Sequence, residues 1–176
     1  MGKIHYAADG SIPPERFIAA LTDFSPDRPR LWPNLSARWY ELHELGPDWA
    51  DVTEGTDVLG GVYARERYDW SEPGVVRLHL VESPRFQSGT VIEYRVSPRD
   101  GGCHVEVDFQ RIARDLRGRI VGVLVQLGGS RQFSAQLRET LARLDRETAP
   151  PASPAPPASP APPDPPASPA PPATGR

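Results

Sequence analysis

The chain has 176 residues, 24% of them charged, and a formal net charge of -3 at pH 7. That balance leaves no basic footprint for nucleic acid or an anionic membrane surface. The cations are nearly all arginine, with Lys3 the only lysine, and the single cysteine, Cys103, excludes an internal disulfide and suits a reducing compartment.

The amino-terminal MGKIHYAADG carries no apolar signal core. The longest nearly apolar run, Ile120 to Leu127, is too short to span a bilayer. A cytoplasmic protein without stable membrane insertion is expected. Two regions follow from composition. Residues 1–147 hold enough apolar residues for one core. Residues 148–176 repeat a PASPAPP unit, where most of the 22 prolines are gathered. Such a tail buries nothing and is expected to be extended, disordered and a spacer.

Lys3 to Ala8 alternates polar and apolar residues and predicts a short edge strand. Ser11-Ile-Pro-Pro-Glu15 reads as a helix start, with Ser11 or Ile12 at the cap and the prolines in the first turn. That helix is predicted to run through Phe17, Ile18, Ala20 and Leu21 to about Phe24. Pro26, Pro29 and Pro33 then break the chain into a segment holding Leu31, Trp32 and Leu35, with room for a second, short helix only.

From Trp39 to Arg111 the period becomes two, with turn signals at Gly46-Pro47-Asp48, Gly60-Gly61, Glu72-Pro73-Gly74, Ser88-Gly89 and Asp100-Gly101-Gly102. This predicts an antiparallel meander of about six strands. A two-residue turn at Asp100-Gly101 sets Arg99 opposite Gly102, and pairs Val96 with Val105, Tyr94 with Val107 and Ile92 with Phe109. The first hairpin, counted the same way, pairs Leu42 with Val52, Tyr40 with Glu54 and His43 with Asp51. On the next strand Tyr63, Arg65, Arg67 and Asp69 form the wet parity. Val62, Ala64, Glu66, Tyr68 and Trp70 face inward, and Val76, Leu78 and Leu80 continue that face. The concave face is therefore apolar, with the two carboxylates Glu54 and Glu66 written into it.

The last element is an amphipathic helix from Leu116 to Leu144, with Leu116, Ile120, Val123, Leu127, Leu137, Leu141 and Leu144 on one stripe. Gly128 and Gly129 read as helix-breaking glycines, and Ser130 and Ser134 stand where bulk belongs. A helix thin at its waist leaves a cavity beneath it. The expected architecture is α+β: a curved antiparallel sheet of about seven strands, two short helices after the first, wrapped around the long C-terminal helix.

The opening IPPERFIAALTDF, the following WPNL, the GGVYARERYDW strand and the closing helix after a DG hairpin resemble the START-like superfamily, the SRPBCC or polyketide-cyclase/Bet v 1-like group with its helix-grip fold. The resemblance spans about Ile4 to Leu144. It implies that the concave face and the C-terminal helix enclose a cavity for a hydrophobic small molecule. Members of this superfamily bind lipids, sterols, hormones or polyketides, and some cyclise or dehydrate what they bind.

An inward carboxylate in an apolar cavity has a raised pKa and can serve as acid, base or hydrogen-bond partner of a ligand hydroxyl or ketone. Glu54 and Glu66 are the candidates for that role, and Tyr40 is placed to orient Glu54. Tyr68, Leu78, Tyr94 and Phe109 line the same face from the sheet, and Ser130 and Ser134 from the helix. Trp32 is a lid over the mouth or a packed anchor. His5, His43, His79 and His104 are scattered, mostly on the wet parity, and no metal spacing, phosphate loop or nucleophile signature is present, so no metal or cofactor is expected. Cys103 and His104 are adjacent on a strand and point to opposite faces. Three functions remain open: binding of a hydrophobic small molecule, a metal-free cyclase or dehydratase using an inward glutamate, and an interaction module working through the tail.

Overall fold

The computed structural model describes residues 2–32, 34–57, 61–114 and 116–148; within these, the side chains of residues 2, 111, 116–130 and 148 are not described. The proposed tail, the side chain of Ser130 and the turn residue Gly60 therefore lie outside the described residues.

Strand β1 (Gly2–Gly10) leads into helix α1 (Pro14–Leu21), the single-turn helix α2 (Arg28–Leu31) and a 3-10 turn at Ala37–Trp39. Six strands follow: β2 (Glu41–Leu45), β3 (Trp49–Thr56), β4 (Val62–Asp69), β5 (Val75–Glu82), β6 (Val91–Arg99) and β7 (Gly102–Arg111). Helix α3 (Leu116–Thr148) closes the described chain. The sheet is antiparallel throughout and ordered β1-β7-β6-β5-β4-β3-β2, a meander onto which the first strand folds back beside the last.

The β6–β7 hairpin has the register that the alternation predicts: Arg99 opposite Gly102, Val96 opposite Val105, Tyr94 opposite Val107, and Ile92 opposite Phe109. Gly101 takes φ 78° in the turn, a left-handed conformation that glycine adopts without cost. At the neighbouring Gly102 a Cβ would lie 1.9 Å from the carbonyl oxygen of Gly10, so only glycine lets β7 start beside the end of β1.

Three expectations about local structure change. Pro13, rather than Ser11 or Ile12, is the N-cap residue of α1, and the helix stops at Leu21, with the Thr22 hydroxyl donating to the Ile18 carbonyl at 2.9 Å. In the first hairpin Leu42 does pair with Val52, but the register then shifts so that Glu44, not His43, opposes Asp51. His43 is the extra residue of a bulge, and its ring reaches the Thr53 hydroxyl at 2.8 Å. Finally, α3 runs as one helix across Gly128 and Gly129. Each helical glycine costs about 1 kcal/mol relative to alanine, which the packing of a long helix offsets.

The core lies between the concave face and the helices. Val52, Val76, Val105 and Val107 are fully buried, and from above come Phe17 and Leu21 of α1 and Leu137, Leu141 and Leu144 of α3. Each such side chain contributes on the order of 1.5–3 kcal/mol by leaving water. The described side chains of α3 pack chiefly along β1, where Phe133 stacks on Tyr6 at 5.4 Å and meets Phe109 edge-on at 6.4 Å.

Candidate functional site

The concave face divides into two halves. In the first, the inward carboxylate of Glu54 meets a counter-charge that its strand does not supply. Arg28, at the start of α2, turns its guanidinium into the core and is 2% exposed. Its Nε donates to Glu54 Oε1, its Nη1 donates to the carbonyls of Leu21 at 2.8 Å and Asp23 at 2.9 Å, and its Nη2 donates to the Tyr68 hydroxyl at 3.1 Å. Tyr68 in turn donates to Glu54 Oε2 at 2.7 Å. Phe24, Tyr68 and Trp32 surround the cation, with ring centres 4.6, 5.3 and 5.9 Å from its central carbon.

This cluster is closed electrically and sterically. Burial works against the arginine's charge, but the Glu54 carboxylate and the Tyr68 oxygen outweigh it and hold the guanidinium protonated. Burial, followed by the negative field of Glu54, pushes the Tyr68 phenol well above its ordinary range. Tyr40 does not orient Glu54: its hydroxyl donates to the Phe24 carbonyl at 2.7 Å, and burial raises its phenol to about 12. Glu54 is thus half of a buried ion pair rather than a solitary carboxylate in a cavity. Trp32 is a packed anchor, edge-on to Phe17 at 6.1 Å, and its indole N–H has no hydrogen-bond partner among the described residues.

The second half draws on three successive inward rows, in which Leu80 opposes Glu66, Ile92 opposes Leu78 and Tyr94 opposes Val76. Glu66 stands between Val52 on β3 and Leu80 on β5, and Ile92 and Tyr94 follow on β6. These four inward side chains, Glu66, Leu80, Ile92 and Tyr94, are all only half-buried, whereas Tyr68 and Leu78 beside them are buried at 2% and 4% exposure. Tyr94 packs its ring against Phe17 at 6.5 Å, but its hydroxyl makes no hydrogen bond among the described residues. Burial, then the fields of Tyr6 and Glu66, push that phenol well above its ordinary range. Phe109 is core, and Ser134 is half-buried on α3.

A seven-stranded antiparallel sheet in this order, with two short helices after the first strand and one long helix at the end, decides the architecture. The chain has the START-like helix-grip fold. Among solved structures the helix grip is similar to TTHA0849 from Thermus thermophilus, with a TM-score of 0.69 at 15% identity over 84% of this chain and 99% of that one. It is also similar to the Zhui aromatase/cyclase from a Streptomyces species, with a TM-score of 0.64 at 17% identity over 84% of this chain and 95% of that one. A START superfamily protein from Mycobacterium smegmatis gives 0.64 at 13% identity, over 84% of this chain and all of that one. No family model matches the sequence, and no curated protein matches it. Likenesses at these identities carry the fold and not the chemistry.

Arg28 is the residue that sequence reasoning missed. Its signal was indirect: two carboxylates written into an apolar face require a cation, and Arg28 and Arg30 are the basic residues of the segment that folds over that face. Among the described residues no group of three histidine, cysteine or acidic side chains is arranged to hold a metal, and no helix is long and apolar enough to cross a membrane. The outward arginines are paired: Arg65 bidentately with Asp51 at 2.7 and 2.9 Å, and Arg77 with Glu72 and Glu93 at 2.7 and 2.6 Å. Arg67 lies over the Trp49 ring at 3.3 Å.

Proposed function

We propose that this helix grip binds a hydrophobic small molecule, of the lipid or polyketide kind, in the space between the second half of the concave face and α3. The observation that carries this reading is the incomplete burial of the inward Glu66, Leu80, Ile92 and Tyr94 beside the buried Tyr68 and Leu78. Apolar walls with a few convergent polar groups are what such sites are made of. Leu80 and Ile92 supply the walls; Glu66 and the Tyr94 hydroxyl orient the ligand.

Two measurements test it. Native mass spectrometry of the purified protein is expected to show an apolar adduct that organic solvent strips away. The substitution Ile92→Trp, which adds bulk to the open half, is expected to abolish binding of a neutral apolar dye. Equal dye binding by the variant and the wild type would overturn the reading.

A cyclase or dehydratase reading rests on the same half. Glu66 is the inward carboxylate of this half, placed to exchange a proton with a ketone, and the Tyr94 hydroxyl is a neutral donor on the same face. Turnover of a poly-β-ketone surrogate that is lost in Glu66→Gln and kept in Glu54→Gln would favour this enzyme over the binder.

A further inference from the structure

One cavity of about 320 Å³ lies outside both halves, at the end of the sheet where β5 gives way to the 83–90 loop. Its lining includes Leu80, the residue opposite Glu66, so the cavity borders the second half of the concave face. Phe86, 5% exposed, continues the apolar side, and Gln87, Ser88, Glu82 and Arg114 form the polar side.

The rim is a built structure. The 83–90 loop and the 112–114 segment are laced together: Phe86 bridges to Ala113, Gln87 N donates to the Ile112 carbonyl at 2.9 Å, and its side-chain amide donates to the Ala113 carbonyl at 2.8 Å. Arg114 N donates to the Arg85 carbonyl at 2.9 Å, and Ile112 N donates to the Thr90 hydroxyl at 3.1 Å. The Arg114 backbone is fixed by this lacing while its guanidinium is exposed. Its one hydrogen bond among the described residues is a long contact of 3.4 Å to the Ser83 carbonyl, and no described carboxylate lies within ion-pair distance. Glu82 is the group an anion must avoid. A bulge at Val81 sets Glu82 opposite Arg65, whose cation it faces on the outer side of the sheet.

We propose that this cavity is the mouth of the ligand space, and that Arg114 takes the acid group of an amphipathic monoanion whose apolar body passes Phe86 and Leu80. The proposal rests on the reading of the interior as a hydrophobic site and adds the ligand class: a hydrophobic carboxylic acid rather than a neutral lipid. A guanidinium presents a planar fork that suits a carboxylate, and a charge-assisted hydrogen bond at a partly wet rim is worth about a tenfold change in affinity.

The test uses the full chain with 1-N-phenylnaphthylamine as a neutral reporter and dodecanoate and dodecan-1-ol as matched competitors. In Arg114→Gln, dodecanoate is expected to compete about tenfold less well, with dodecanol unchanged; Arg114→Lys should recover part of the loss, and Glu82→Gln should strengthen dodecanoate alone. In the wild type, added salt should weaken the acid and leave the alcohol untouched, a measurement that needs no variant to fold. If acid and alcohol respond alike to the substitution and to salt, the proposal for Arg114 falls while the interior site stands. If the reporter fails to bind the wild type, the interior site falls and the mouth with it.

Discussion

Glu54 and Glu66 are the same residue type on adjacent strands of the same concave face, yet they occupy opposite kinds of environment. Glu54 lies under the proline-broken segment and is neutralised by Arg28, capped by Tyr68 and walled in by Phe24. Glu66, one row along the sheet, sits half-buried between Val52 and Leu80. The lesson is that parity decides which way a side chain points, and the covering segment decides what it becomes. One glutamate is a structural ion, and the other is the carboxylate of the proposed site.

The largest expected effect comes from splitting the buried pair. Arg28→Met should destabilise the fold by about 3–5 kcal/mol, because it leaves the Glu54 carboxylate buried without a counter-charge. The double variant Arg28→Met, Glu54→Leu should recover most of that loss. Chemical denaturation measures both, and a single variant within about 1 kcal/mol of wild type would remove the distinction between the two halves.

A direct contrast follows. Glu54→Gln should cost about 3 kcal/mol, since a buried arginine loses its ion partner, while Glu66→Gln should stay within about 1 kcal/mol. Equal costs would mean that both glutamates are structural.

Added bulk should sharpen the same boundary. Ala50→Trp, opposite Tyr68 in the covered half, is expected to cost about 1–3 kcal/mol or more through overpacking, whereas Ile92→Trp should leave the melting temperature nearly unchanged and remove ligand binding. Comparable melting losses in both variants would show that the second half is packed as tightly as the first.

The smallest effect is at alkaline pH. The folded Tyr40 phenol is raised by burial to about 12, above an ordinary value of 10.0, so folding favours its neutral form. Its contribution to stability is complete below about pH 10 and is lost as pH rises through 12, with Tyr68 acting in the same direction. Tyr40→Phe should flatten that decline, and a stability profile of unchanged slope would contradict the assignment.

Much of the fold was legible because its signals are local. The β6–β7 register follows from strict alternation on both sides of a two-residue turn, where a slip of one would put Val105 and Val107 in water. The inward parity of Glu54, Glu66 and Tyr68 was readable in the same way. The bulge at His43 was not, because nothing in ELHELGPDW marks an extra residue; it becomes visible only when Glu44 is found opposite Asp51. The partner of Glu54 was hidden for a different reason. Arg28 stands between prolines in a segment without periodicity, 26 positions away, and its burial is set by packing across the whole domain. The mouth at Arg114 was hidden likewise, since it forms where two loops distant in sequence are laced together.

The Arg28 cluster also has a kinetic consequence. For the segment carrying α2 to swing away from the sheet, a guanidinium and a carboxylate would have to separate while the Tyr68 ring and hydroxyl lost their contact with the cation. An opening that breaks such a pair is rare on the timescale of ordinary loop motion. On the proposed reading, residence time in the interior is governed instead by the groups around Phe86 and Arg114. Release rates should respond to substitutions there and stay constant when the exposed residues of the proline segment, such as Arg30, are changed.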